Sequence, residues 1–149
     1  MIKVAVTGAA GRMGGRIITA IKENDELELA GAVERAGHAL VDADAGSVAG
    51  CGALGVPIAG SLEEALQNAD VLIDFTFPEV TLANAAVCAR LGKSLVVGST
   101  GFTPEQRARL EEFADTIPVV LAPNMSVGVN VCFKLLKDVA KTLGDAFDV

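Results

Sequence analysis

The chain has no tryptophan, no tyrosine and one histidine, His38. Cysteine is scarce as well: Cys51, Cys88 and Cys132 stand far apart, with no C-x-x-C pair. A structural zinc site takes about four nitrogen or sulfur ligands held close together, so the sequence argues against a metal. An odd number of widely spaced cysteines suits a reducing compartment, and a cytoplasmic location is expected. Cys88 and Cys132 fall in apolar helical patterns and are expected to be buried spacers. Cys51 sits in a glycine-rich loop and is expected to be exposed. Basic residues are short: 12 Lys and Arg against 19 Asp and Glu give a net charge of −7. With no basic block and six Phe as the aromatic complement, the chain lacks the clustered cations that nucleic-acid phosphates require. No stretch suits a membrane span. The two long uncharged segments, 45–62 and 116–133, are broken by glycine and proline and could not satisfy their own backbone in lipid. The opening Met1-Ile2-Lys3-Val4 runs straight into a strand-like pattern, so no targeting signal is expected.

What the chain does have is apolar mass. Over 149 residues, 51% are apolar and 21% charged, which excludes disorder and allows a core without disulfides. Residues 1–149 are read as one domain. Short β-branched runs alternate with helical periods. Strands are expected at Ile2–Thr7, Leu27–Glu34, Val56–Ala59, Val71–Phe75, Ser94–Gly98 and Ile117–Leu121. Helices are expected at Arg12–Glu23, from a capping box at Ser61, at Pro78–Leu91, from the cap Thr103-Pro104, and at Ser126–Leu143, stopped by Gly144. No element is assigned in Arg35–Gly55, and 145–149 resembles the start of another extended segment. Nearly all-apolar strands alternating with helices predict an α/β fold: a Rossmann-like doubly wound parallel sheet with helices on both faces.

Between the first strand and first helix lies Gly8-Ala9-Ala10-Gly11-Arg12-Met13-Gly14, with the spacing G-x-x-G-x-x-G. Glycines there allow a tight turn and close approach of a diphosphate to the backbone, while the helix start offers unpaired N–H groups. Glu34 ends the second strand about twenty residues further on, where a carboxylate can accept from ribose hydroxyls. The plain alternative is a structural turn and a solvated Glu. Arg35 follows directly; its guanidinium could pair with a 2′-phosphate or stack on adenine, and Arg12 could reach the same end. Binding of both NAD and NADP forms is therefore expected, against the alternative that Arg35 is an ordinary surface residue. Three further strand ends carry unusual loops: Asp74-Phe75-Thr76-Phe77-Pro78, Gly98-Ser99-Thr100-Gly101 and Ala122-Pro123-Asn124-Met125-Ser126. Each alone could be a loop or cap. Together they suggest a cofactor pocket beyond the carboxyl ends of the strands.

These motifs in order, with Gly128-Val129-Asn130 after Ser126, resemble the bacterial 4-hydroxy-tetrahydrodipicolinate (dihydrodipicolinate) reductase family over essentially the whole chain. That resemblance implies NAD(P)H-dependent reduction of a small cyclic dicarboxylate to tetrahydrodipicolinate, on the diaminopimelate route to lysine. It implies that Gly8, Gly11, Arg12 and Met13 hold the phosphates and Glu34 and Arg35 the adenosine ribose. It implies too that Phe75, Gly98, Thr100, Ala122, Asn124 and Met125 face the cofactor, with Thr100 also facing substrate. Family members carry a Glu-x-His-His motif and a Lys-x-Asp-Ala-Pro-Ser-Gly-Thr loop in a substrate domain, and neither motif is in this sequence. His38 belongs to the adenosine end. No catalytic residue is therefore assigned within the chain, which is read as a cofactor-binding part with little turnover of its own. The homotetramer implied for the intact family rests mainly on the substrate domain. Two other readings remain at this point: an NAD(P)-sensing regulatory module without catalysis, and another dehydrogenase sharing the Rossmann half.

Overall fold

The structure, a computed structural model, describes residues 1–144 and Phe147. The extended segment expected at 145–149 otherwise lies outside the described residues. Six strands form one parallel sheet: β1 (Ile2–Thr7), β2 (Leu27–Val33), β3 (Ile58–Ala59), β4 (Val71–Asp74), β5 (Ser94–Val97) and β6 (Val119–Leu121). Their spatial order is β3-β2-β1-β4-β5-β6. The chain winds outward from β1 to β3, then crosses back to lay β4 against the other side of β1. Loops leaving β1 and β4 therefore diverge, and a crevice opens between them at the carboxyl end of the sheet.

Period-two alternation in β1 divides the core. Val4 and Val6 pack with Ile18 and Ile21 of α1 (Arg12–Lys22), with Ala45 of α2 (Ala45–Val48) and with Leu29 and Ile58. Ala5 points the other way, into a cluster with Leu72, Leu95 and Val97. That second cluster is roofed by Leu62, Ala65 and Leu66 around α3 (Leu62–Ala65), Ala85 and Cys88 of α4 (Pro78–Leu91), and Leu110 of α5 (Pro104–Phe113). Each large side chain buried in either cluster, such as Ile18 in the first or Leu72 in the second, contributes about 1.5–3 kcal/mol relative to exposure. The register of β1 on β2 shifts between Val4 and Ala5, pairing them with Leu29 and Gly31. This turns Gly31 toward α3, where an added Cβ would stand 2.0 Å from the carbonyl oxygen of Ala65.

Local signals set the helix ends. Ser61 accepts from the Glu64 N–H, and Thr103 and Gln106 form a reciprocal capping box. Pro78 opens α4, and Gly92, at φ 65°, closes it in the left-handed conformation. The expected elements recur with bounds shifted by a residue or two. The structure adds α2 to a segment with no assignment: Asp44 caps it through the Ser47 N–H. Two burial expectations are corrected. Cys88 is buried, but Cys132 is exposed, because α6 (Val127–Leu143) buries none of its residues. Periodicity reveals an apolar helix face but cannot say what lies against it. Cys51, expected to be exposed, is half-buried, its thiol donating to the Gly46 carbonyl at 3.5 Å. Among the described residues, no helix is long and apolar enough to cross a membrane.

Candidate functional site

The turn from β1 into α1 is built on glycine. Gly8 has φ +60°, and a Cβ on Gly14 would stand 2.1 Å from the Gly8 carbonyl oxygen. The turn satisfies its own first donors: Ala9 N–H to Val33 O (3.3 Å), Ala10 N–H to Glu34 Oε1 (3.1 Å) and Gly11 N–H to Gly8 O (2.8 Å). The next three N–H groups, of Arg12, Met13 and Gly14, begin the helix and have no acceptor within it. Gly11, at the N-cap, brings no side-chain cap, and the first turn contains no acid. No group of α1 itself thus compensates its positive end, and the Arg12 guanidinium adds a full charge beside it.

Glu34 leaves β2 beside this turn. Its Oε1 takes the Ala10 N–H and its Oε2 the Arg35 N–H at 3.3 Å, so the half-buried carboxylate is fixed at the rim. A cavity of about 690 Å³ runs from the α1 terminus past Glu34 to the loop after β4. Gly8, Gly11, Arg12, Met13, Glu34, Arg35 and Phe75, all named from the sequence, line it together. Its volume suits a small organic ligand.

The loop after β4 closes the far wall. Asp74 is fully buried; Oδ1 accepts from the Thr76 N–H (2.9 Å) and hydroxyl (2.6 Å), and Oδ2 from the Asn84 amide (2.8 Å). Ser99 Oγ lies 3.5 Å from Oδ1 and 2.8 Å from the hydroxyl of Thr81. Burial, with a smaller push from the Asp74 charge, raises the Cys88 thiol to about 12 and keeps it protonated and inert near neutrality.

Five sequence candidates do not line this cavity. Gly98 lies behind it, under the Phe75 ring. Thr100 and Met125 are exposed, and Ala122 donates its N–H to Val97 O at 3.2 Å. Asn124 spends its side chain on its own turn, Oδ1 accepting the Ser126 N–H at 2.9 Å. They share the carboxyl edge of the sheet with the cavity because all strands are parallel. His38 is turned into its own loop, its Nδ1 accepting the Leu40 N–H at 3.2 Å. Sequence reasoning missed Gly60 and Leu62, and also Val80 and Asn84, which lie one turn apart on α4 and line the cavity. A polar Asn among the alanines of α4 was the available signal. Among the described residues, no three His, Cys, Asp or Glu side chains cluster as a metal site would require.

Comparison with known proteins gives a consistent set of likenesses. The family described as "Dihydrodipicolinate reductase, N-terminus" matches residues 2–125. Proteins named 4-hydroxy-tetrahydrodipicolinate reductase from Syntrophotalea carbinolica and Geobacter sulfurreducens are 66% and 64% identical over all 149 residues. The chain spans 56% of the length of each of these relatives. Among solved structures, a dipicolinate-bound dihydrodipicolinate reductase from Paenisporosarcina superposes with a TM-score of 0.75 at 25% identity. That match covers 94% of this chain and 54% of the other. An amine dehydrogenase from Mycobacterium smegmatis, at 22% identity and a TM-score of 0.64, shares the fold over 79% of this chain and 37% of its own.

Proposed function

Since the chain belongs to the dihydrodipicolinate reductase family, matching its N-terminal part, we propose that it binds NADH or NADPH and presents the nicotinamide to a dicarboxylate substrate. One observation carries this reading. The uncapped N-terminus of α1 and the Glu34 carboxylate, 3.1 Å from the Ala10 N–H, open into the same cavity. A diphosphate suits the first, because its charge meets Arg12 and the free N–H groups of Arg12, Met13 and Gly14. Adenosine ribose suits the second, since a carboxylate accepts hydrogen bonds from hydroxyls. Glycine at 8, 11 and 14 leaves the backbone bare where the phosphates would lie. Arg35 stands beside Glu34 and offers a guanidinium to a 2′-phosphate.

Bound NAD(P)H supplies the hydride; this chain binds the cofactor, orients it and shields one side of its ring. Phe75 and Gly98 form the wall on the nicotinamide side. Thr100, Ala122, Asn124 and Met125 lie outside the cavity on the same carboxyl edge of the sheet, and we assign them to that end of the bound cofactor, with Thr100 also toward substrate. The reaction is the reduction that yields tetrahydrodipicolinate on the diaminopimelate route to lysine. Dipicolinate, held by the Paenisporosarcina relative, is itself a small cyclic dicarboxylate and supports that substrate class.

The substrate's grip and the proton donor belong to a second domain beyond residues 1–149, which also carries the contacts of a homotetramer. Two features support this: His38 is committed to its loop, and α6 leaves its apolar residues bare. Three free cysteines support a reducing, cytoplasmic setting. Nothing in the fold or the relatives favours a regulatory module.

Calorimetric titration tests the proposal. Both NADH and NADPH bind, Arg12→Ala weakens both, and Glu34→Ala weakens NADH more than NADPH because the carboxylate also repels a 2′-phosphate. Folded protein that gives no heat with either cofactor at millimolar concentration overturns it. Appreciable reductase turnover by the 149-residue chain alone overturns the two-domain reading.

A further inference from the structure

Asp74 presents a physical problem. It is a fully buried carboxylate, and no lysine or arginine is among its hydrogen-bond partners. Burying an unpaired charge is costly, and a well-packed apolar residue would serve stability better. What the charge obtains is a set of charge-assisted hydrogen bonds to groups on different elements, short from Thr76 and Asn84 and long, at 3.5 Å, from Ser99. Thr76 is in the turn after β4, Asn84 is on α4, and Ser99 is in the turn after β5. The backbone takes part too: the Gly98 N–H donates to the Asp74 carbonyl at 2.9 Å.

Two contacts follow from this anchoring. Phe75 is held with its ring against Gly98, and Thr76 with its methyl beside Gly8, where an added Cβ would lie 3.8 Å from Cγ2. Both contacts form the wall between the diphosphate turn and the end of β5. The Glu34 end of the cavity receives nothing from Asp74; its fixed donors are Ala10 and Arg35.

We propose that Asp74 is a positioning residue for the nicotinamide half of the cofactor, fixing the Phe75–Thr76 wall through its bonds to Thr76 and Asn84 while leaving the adenosine half untouched. The inference rests on the cofactor reading above. Asparagine at position 74 keeps the size but removes the charge and one of the two acceptor oxygens that hold Thr76 and Asn84. Exchanging the pair restores a donor facing an acceptor.

The experiment compares two ligands on the same chain: NADH, and ADP-ribose, which lacks the nicotinamide. Without tryptophan or tyrosine, bound NADH emission is read against a dark protein. Asp74→Asn loses about tenfold in NADH affinity, holds ADP-ribose within about twofold, and returns NADH emission toward that of free cofactor. The double variant Asp74→Asn, Asn84→Asp recovers most of the loss. Should Asp74→Asn fail to fold, Thr76→Val, which deletes only the 2.6 Å hydroxyl bond, shows the same selective loss at smaller size. Wild-type protein that takes up neither ligand overturns the cofactor reading, and this inference with it. Wild-type protein that binds both equally well, or variants that lose both ligands alike or neither, overturn the positioning role alone.

Discussion

The ring of Phe75 lies on Gly98 so closely that a methyl group at position 98 would stand 2.0 Å from Cε1 and 2.2 Å from Cζ. Residue 98 therefore decides where one wall of the cavity stands. Phe75 is half-buried, so its ring can swing outward when pushed. We expect Gly98→Ala to fold with little loss of stability, under about 1 kcal/mol, but to narrow the cavity and weaken NADH about tenfold. Paired urea denaturation and NADH titration check both halves. A large stability loss with unchanged affinity contradicts the account.

Gly31 makes the opposite case. The atom in the way there is the Ala65 carbonyl oxygen, part of the α3 backbone, at 2.0 Å from an added Cβ. Backbone cannot swing aside as a ring can, so β2 and α3 must separate. Gly31→Ala should cost about 1–3 kcal/mol or more, seen as a lower urea midpoint. Cofactor affinity of the fraction that remains folded should weaken too, since Val33 of β2 and Leu62 of α3 both line the cavity.

Legibility of the fold tracks how local its causes are. β1 and α4 carry their patterns and stops within a few residues, so their bounds match the sequence reading from end to end. The same holds for the turn around Gly8 and for Glu34, because strand–turn–helix spacing places them together. The segment from Arg35 to Gly55 resisted reading because Asp44 organises it across gaps of ten and eleven residues, to Leu54 and Gly55. No periodicity encodes that. The role of Asn84 depends on which face of α4 meets Asp74, which only the packed helix reveals.

That organising role gives a pH dependence. The Ser47 N–H first, with those of Leu54 and Gly55, lowers the Asp44 carboxyl from its ordinary 3.8 to about 2. Because the folded-state value is depressed, the ionised group stabilises the fold fully above about pH 4. That contribution fades as pH falls through about 2. Urea midpoints at pH 7, 4 and 2.5 should show a fall between the last two that is smaller in Asp44→Asn. An identical acid slope in both proteins removes Asp44 from the explanation.

The last helix tests the domain reading. Around α6, Val131, Phe133, Leu135, Leu136 and Val139 are 47–58% exposed, a broad apolar arc that a helix in water does not keep without a partner. The proposal that a further domain covers this arc makes Cys132, exposed on the same helix, its reporter. In the 149-residue chain a thiol reagent at pH 8 should modify Cys132 readily, while buried Cys88, with its thiol near 12, stays intact until the protein unfolds. In the 149-residue chain the bare arc is expected to drive concentration-dependent self-association; in the longer protein that association should disappear and Cys132 should become protected by about tenfold or more in rate. Replacing Leu135 and Leu136 with Glu should suppress that association in the short chain without changing NADH affinity, since α6 lies outside the cavity. Equal Cys132 rates in the two proteins would mean that the helix faces solvent in both, and the further domain would then have to attach elsewhere.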